Sequence, residues 1–136
     1  MNAPAKVPMS VLIPVKNEAA NLPRCLGSVA WAAEIFVVDS QSTDGTPGIA
    51  QGLGARVVQF DYHGGWPKKK EWSLRNLPFA HEWVLLLDAD EVMPAESAEE
   101  IRAIVSNPTP PCAGYWIKRR FFFHGEWLRD AYFPTW

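Results

Sequence analysis

Asp88 and Asp90 close the most apolar stretch of the chain, residues 83–88 (WVLLLD). Two carboxylates two residues apart on an extended strand point to the same side. They can therefore be offered together to one hard cation, which prefers oxygen ligands. Magnesium or manganese held this way keeps waters and takes its remaining ligands from a substrate diphosphate. The competing reading is that both acids only cap the turn that follows. A calcium loop is excluded: counted from Asp88, the fifth and sixth positions are Val92 and Met93, where an oxygen ligand and a glycine are required, although Glu99 falls at the twelfth.

A second acid, Asp39, ends the apolar run 34–39 (EIFVVD) and opens the polar stretch Ser40-Gln41-Ser42-Thr43. A carboxylate at a strand end can accept a hydrogen bond from a nucleobase ring N–H, or it can simply form the turn. Asp44-Gly45-Thr46 reads as an ordinary turn. Lys16-Asn17-Glu18 follows the first apolar run. Lys68-Lys69-Lys70 can meet a donor phosphate or an anionic acceptor, or can merely begin an exposed helix. His63, His81 and His124 are scattered without ligand spacing, Gly64-Gly65 marks a loop, and Phe121-Phe122-Phe123 suits a core or an interface.

These groups need elements to position them. Residues 9–15 (MSVLIPV), 34–39, 56–60 and 83–88 are short apolar runs that read as buried strands. Asn21 with Pro23 opens a helix running to about residue 30. Thr46-Pro47 opens another, which Gly54 stops. Residues 94–106 form an amphipathic helix with Ala98, Ile101, Ile104 and Val105 inward. Residues 114–123 alternate in charge and bulk and read as a longer strand. Strand and helix in alternation predict an α/β fold, with a mostly parallel sheet flanked by helices on both faces. In such sheets ligands bind outside the carboxyl ends of the strands, where the polar residues above accumulate.

Composition narrows the function classes. The chain has 136 residues, a size that predicts one core, with 13 basic against 15 acidic residues. That balance argues against a nucleic-acid binder. The charge is patterned: seven acids and no base lie between residues 82 and 100, and four bases and no acid between 102 and 120. Cys25 and Cys112 exclude a disulfide framework and a cysteine zinc site, and read as reduced, buried, cytosolic thiols. Neither a signal pattern nor a membrane-length apolar run is present in these residues.

Val11-Leu12-Ile13-Pro14-Val15-Lys16-Asn17-Glu18, then Val37-Val38-Asp39-Ser40-Gln41-Ser42-Thr43-Asp44-Gly45-Thr46, then Leu87-Asp88-Ala89-Asp90-Glu91 resemble family 2 glycosyltransferases of the Rossmann-like GT-A fold. The subgroup most similar is the glucosyltransferases of lipopolysaccharide-core assembly. The resemblance implies a nucleotide-sugar donor, usually a UDP-sugar. It also implies Mg2+ or Mn2+, a glycan or lipid-linked acceptor, and transfer with inversion. By position, Pro14, Lys16 and Glu18 would line the nucleotide cleft, and Asp39 would meet the base. Asp88 would contact ribose or metal, Asp90 would bind metal in a DXD motif, and Lys70 would approach the donor. The only catalytic base it offers is Asp130.

It also implies a cytoplasmic protein in peripheral contact with the inner membrane. It divides the chain into a flexible tail (1–8), a nucleotide-sugar-binding core (9–112) and the truncated start of an acceptor-side region (113–136). Departures are the chain's length, Glu71 where the subgroup has Asn, and Thr135 where Asp or Asn often stands. Two other functions compete: a non-catalytic nucleotide-binding fragment, and a haloacid-dehalogenase-like phosphatase. In the phosphatase, Asp88 of Asp88-Ala89-Asp90-Glu91-Val92 would be the nucleophile.

Overall fold

The computed structural model describes residues 3–129. Four strands form one parallel sheet: β1 (Val7–Val15), β2 (Ala32–Asp39), β3 (Arg56–Gln59) and β4 (Val84–Leu86), in the order β3-β2-β1-β4. Helices α1 (Leu22–Ser28), α2 (Thr46–Gly52), α3 (Lys69–Asn76) and α4 (Ala95–Val105) connect and cover it. A short hairpin, β5 (Phe122–Phe123) and β6 (Glu126–Trp127), follows.

Alternation along β1 sorts the core into two layers. Val7, Met9, Val11, Ile13 and Val15 face one side, packed with Leu22, Cys25 and Leu26 of α1 and Ala50 of α2, with Ile101 and Val105 of α4 against them. Leu12 faces the other side with Phe36, Val38 and Phe60, covered by Trp72 of α3 and by Leu77 and Phe79. Helices therefore lie on both faces, as the strand–helix alternation predicts.

Strand order reverses between β1 and β4, and Pro14 explains why the two part there. The Ser10 N–H donates across this edge to the Trp83 carbonyl at 3.0 Å. N–H groups two apart point to the same side of a strand, so Leu12 and Pro14 face β4 as well. Register runs Ser10↔Val84, Val11↔Leu85, Leu12↔Leu86, and the Leu87 N–H closes it on the Leu12 carbonyl at 3.1 Å. The next donor on β1 would belong to Pro14, which has none. The ladder stops at the point where the strand order reverses, which in an open parallel sheet is where the ligand crevice lies.

This shortens the fourth strand to three residues, where 83–88 was expected, and places Asp88 and Asp90 beyond it. The expected tail over 1–8 ends sooner, because Val7 is fully buried in β1, held by its N–H to the Trp31 carbonyl at 2.9 Å. The long strand expected over 114–123 reduces to the Phe122–Phe123 pairing: residues 113–129 are exposed, and contacts such as Tyr115 on Trp83 and Arg119 on Glu91 give residues 114–120 no strand partner among the described residues. The hairpin turns at His124-Gly125, both at positive φ (47° and 80°), the two-residue turn that suits strand twist. Cys112, expected to be buried, is exposed; Cys25 is buried.

Candidate functional site

The carboxyl ends of β1, β2 and β4 lie along one edge of the sheet. Two lysines of α3 reach that edge. The Lys69 ammonium donates to the Val15 carbonyl at 2.5 Å, and Lys70 pairs with Asp88 at 2.7 Å. Cations at a helix N-terminus oppose the helix dipole, so these lysines are held by the strand ends and not by their own helix. Burial holds the Lys69 ammonium below the usual lysine range; Asp39 partly offsets this and Lys16 adds to it.

Asp88, Ala89, Asp90 and Glu91 form a closed turn. The Glu91 N–H donates to the Asp88 carbonyl at 2.9 Å, and the Asp88 N–H donates to the Glu91 carboxylate at 2.8 Å. Arg119 pairs with Glu91 at 3.3 Å. Asp90 is exposed and makes no ion pair among the described residues. The two aspartates thus share a turn and not a strand face, which corrects the geometry expected for them. Beneath the turn lies Cys25, its thiol donating to the Asp88 carbonyl at 3.5 Å. Burial, with the carboxylates of Glu91, Asp90, Asp88 and Glu18, pushes that thiol up to about 12.

Asp39 is fully buried. One oxygen accepts from the Ser42 N–H at 3.0 Å and from the Gln59 amide at 2.9 Å; the other accepts from the Ser42 hydroxyl. A carboxylate offers about four lone-pair sites, so the loop uses three of them. Pro14 is half-buried in β1, Lys16 is exposed, and the half-buried Glu18 carboxylate accepts from the Asn21 amide at 3.1 Å.

Sequence reasoning missed how the first two loops are joined. Asn17, at φ 53°, receives the Thr43 N–H on its side-chain oxygen at 2.8 Å and donates its own N–H to the Ser42 hydroxyl at 2.8 Å. The Glu18 N–H donates to the Thr46 hydroxyl at 3.0 Å, and the Ala19 N–H to Asp44 at 3.2 Å. Asp44 also accepts from the Thr46 N–H at 2.9 Å and from its hydroxyl. These Thr46 bonds, with that from Ala19, hold the Asp44 carboxyl below the usual aspartate range. Asp44 thus ties two loops together, which is more than the ordinary turn read from Asp44-Gly45. The signal available was the density of Asn, Asp, Ser and Thr in both loops. Asp130 lies outside the described residues.

No group of three or more His, Cys, Asp or Glu is arranged to hold a metal among the described residues. The donor set of Asp88 and Asp90 suits a hard cation that completes its shell with waters and a diphosphate. A cavity of about 380 Å³, lined by Pro8, His81, Trp83, Val105 and Pro110, lies at the amino ends of β1 and β4. That is the wrong end for a ligand in an open parallel sheet, so we place the site at the β1/β4 crevice.

Residues 10–131 match the family described as Glycosyl transferase family 2. An uncharacterized glycosyltransferase of Rickettsia bellii is 40% identical over 100 residues, covering 73% of this chain and 33% of that protein. The lipopolysaccharide core biosynthesis glycosyltransferase LpsC of Rhizobium meliloti is 30% identical over 124 residues, covering 88% of this chain and 45% of LpsC. Among solved structures, TarS (residues 1–349) of S. aureus superposes with a TM-score of 0.59 at 28% identity, over 72% of this chain and 32% of that one. Glucosyl-3-phosphoglycerate synthase of Mycobacterium tuberculosis in complex with Mg2+ and UDP gives 0.55 at 27% identity, over 72% and 38%. The chain thus spans between a third and a half of the length of these relatives. With the match running from β1 through the acid turn to the hairpin, and with the GT-A architecture present in the sheet, this chain belongs to glycosyl transferase family 2.

Proposed function

We propose that this chain is the donor-binding part of a glycosyltransferase that moves a sugar from a nucleoside-diphosphate sugar, a UDP-sugar, to a glycan or lipid-linked acceptor with inversion. The observation that carries the proposal is the set of charged groups gathered at the carboxyl ends of the strands. Lys69 reaches the end of β1 at Val15, Lys70 pairs with Asp88 in the acid turn that also holds Asp90, and the Asp39 loop is fixed at the end of β2. This arrangement suits a nucleotide lying across the strand ends, its base at Asp39's remaining lone pair, its ribose or diphosphate at Asp88, and Pro14, Lys16 and Glu18 along the cleft.

In a single displacement, a base takes the acceptor hydroxyl proton as that oxygen bonds to the anomeric carbon. The bond from that carbon to the diphosphate oxygen breaks, and the nucleoside diphosphate departs. Asp130 is the base nominated. Lys69 and Lys70 supply positive charge where the diphosphate gathers negative charge. Asp88 and Asp90 would hold Mg2+ or Mn2+, which supplies Lewis-acid stabilisation of the leaving group. The solved complexes of the mycobacterial synthase contain Mn2+ or Mg2+ with UDP, which supports this assignment.

Calorimetry with UDP and Mn2+ tests the proposal. Binding should require the metal, and Asp90→Ala should weaken it by roughly tenfold or more. Equal binding with and without metal, unchanged by Asp90→Ala, would remove the metal role. Competition by GDP and CDP tests the uracil preference.

The non-catalytic alternative predicts the same binding and no glycoside formed. The phosphatase reading gives way to family membership, and its would-be nucleophile Asp88 is paired with Lys70. None of the described helices is long and apolar enough to cross a membrane. For the peripheral contact with an inner membrane, and with it a cytoplasmic setting, the support is the exposed surface over residues 115–129. There Trp116, Phe122, Phe123 and Trp127 stand among Lys118, Arg119, Arg120 and Arg129. Aromatic and basic side chains together suit an anionic bilayer surface.

A further inference from the structure

We propose that Lys70 is a built-in counter-cation of the acid turn, which a divalent ion displaces from Asp88 and so releases toward the donor diphosphate. This rests on the donor reading above and adds an exchange between two cations at one carboxylate.

Four observations carry it. Lys70 Nζ sits 2.7 Å from Asp88 Oδ1, where a metal bound by Asp88 would need the carboxylate. Glu91 is already engaged, by Arg119 at 3.3 Å and by the Asp88 N–H at 2.8 Å, whereas Asp90 has no cationic partner among the described residues. An incoming cation thus finds one free aspartate and one held by a lysine. Lys70 stands in the first turn of α3, where the helix dipole repels an ammonium, so Asp88 holds it against its own helix. Finally, α3 does not depend on Lys70 for its seat. Lys69 fastens the helix start to the Val15 carbonyl at 2.5 Å, and Trp72 packs on Phe60 with ring centroids 5.1 Å apart. The Lys70 side chain, about half exposed on a flexible four-carbon stem, can swing without moving the helix.

The exchange predicts opposite signs for two ligands. Mn2+ alone, followed by water-proton relaxation, should bind Lys70→Met roughly two- to fivefold more tightly than wild type, the range an exposed ion pair provides. Lys70→Arg keeps the charge and should stay near wild type. Lys68→Met makes the same charge change one turn-position away without touching Asp88, and should move Mn2+ affinity less than Lys70→Met. With Mn2+ saturating, UDP should bind Lys70→Met more weakly than wild type by calorimetry, because the released ammonium is gone. Equal Mn2+ affinity in wild type and Lys70→Met, or an equal gain in Lys68→Met, would overturn the exchange and leave the donor reading standing. Tighter Mn2+ with unchanged UDP affinity would overturn the release to diphosphate. Absence of Mn2+ binding in all the proteins would overturn both the exchange and the metal part of the donor reading.

Discussion

Asp44 and Glu34 are carboxylates whose work is done through hydrogen bonds. Asp44 joins the loops after β1 and β2, and its carboxyl lies below its ordinary value of 3.8 because Thr46 and Ala19 donate to it. A lowered folded value means that the ionised form is favoured by folding. The contribution is therefore fully present above the unfolded value of 3.8 and is lost as pH falls through the folded one. Urea unfolding of wild type and Asp44→Ala should differ at neutral pH, and the difference should shrink as pH falls below that value. A pH-independent difference would show that the carboxylate charge is irrelevant. Glu34 lies on the α3 side of the sheet with only 9% of its side chain exposed. Burial alone would raise its value, but hydrogen bonds from Ser10, Ala80 and Arg56 outweigh that and lower it. Glu34→Ala strands the fully buried Ser10 hydroxyl, so it should destabilise by about 1–3 kcal/mol in urea unfolding. A loss near zero would mean that water replaces the carboxylate.

At the scale of elements, the start of α3 runs against helix preference, although Glu71 in its first turn and Arg75 in its last suit the dipole and pair with each other. Lys68 occupies the N-cap in extended geometry, φ −78° and ψ 164°, with no side-chain hydrogen bond, and two more lysines follow. Asp is favoured there both as a cap and by the dipole. Lys68→Asp should therefore stabilise the protein by about 1 kcal/mol, read as a higher urea midpoint at an unchanged slope. An unchanged or lower midpoint would mean that the surroundings of Lys68 already compensate. A helix start that gives up stability while two of its lysines reach the strand ends fits a site serving an anion. Pro14 works at the same scale: by ending the β1–β4 ladder it turns a sheet edge into a cleft.

At the scale of the molecule, the apolar surface is uneven. Trp116 is 93% exposed and Phe122 and Phe123 are each 64% exposed, all in the segment where four basic residues cluster. Arg120 and Arg129 lie over the Trp127 ring at 4.9 and 4.5 Å, so even its faces are held by cations. Contiguous exposed apolar surface promotes association. Light scattering of this chain should show concentration-dependent self-association that Phe122→Ser with Phe123→Ser relieves. Co-sedimentation with anionic vesicles, against neutral ones, tests the membrane contact through the same residues. A monodisperse monomer indifferent to vesicles would deny both uses of the surface.

The order of β1 to β4 and of α1, α2 and α4 was legible in the sequence because each strand is a short apolar run and those helices carry their own punctuation, whereas α3, capped by Lys68 with no side-chain hydrogen bond, gave only the alternative of an exposed helix start. Pro23, Pro47 and Gly54 fall at the helix ends, the last at φ 86° just past α2. That Lys16, Glu18, Asp39, Asp88 and Asp90 follow strand ends was legible too, since a parallel sheet carries its loops at that edge. The partners chosen there were not. Lys70 and Asp88 are 18 positions apart, and Asn17 and Thr43 are 26 apart. Such pairings are set by strand order and by where each ladder stops. Asp88 and Asp90 show the limit most clearly. Local periodicity puts them on one face of a strand, but Pro14, on a neighbouring strand, ends the pairing at Leu86 and makes their segment a turn. The sequence determined which chemistry is present and at which edge. Tertiary structure decided which charges meet, because a missing N–H on one strand is felt only by the strand beside it.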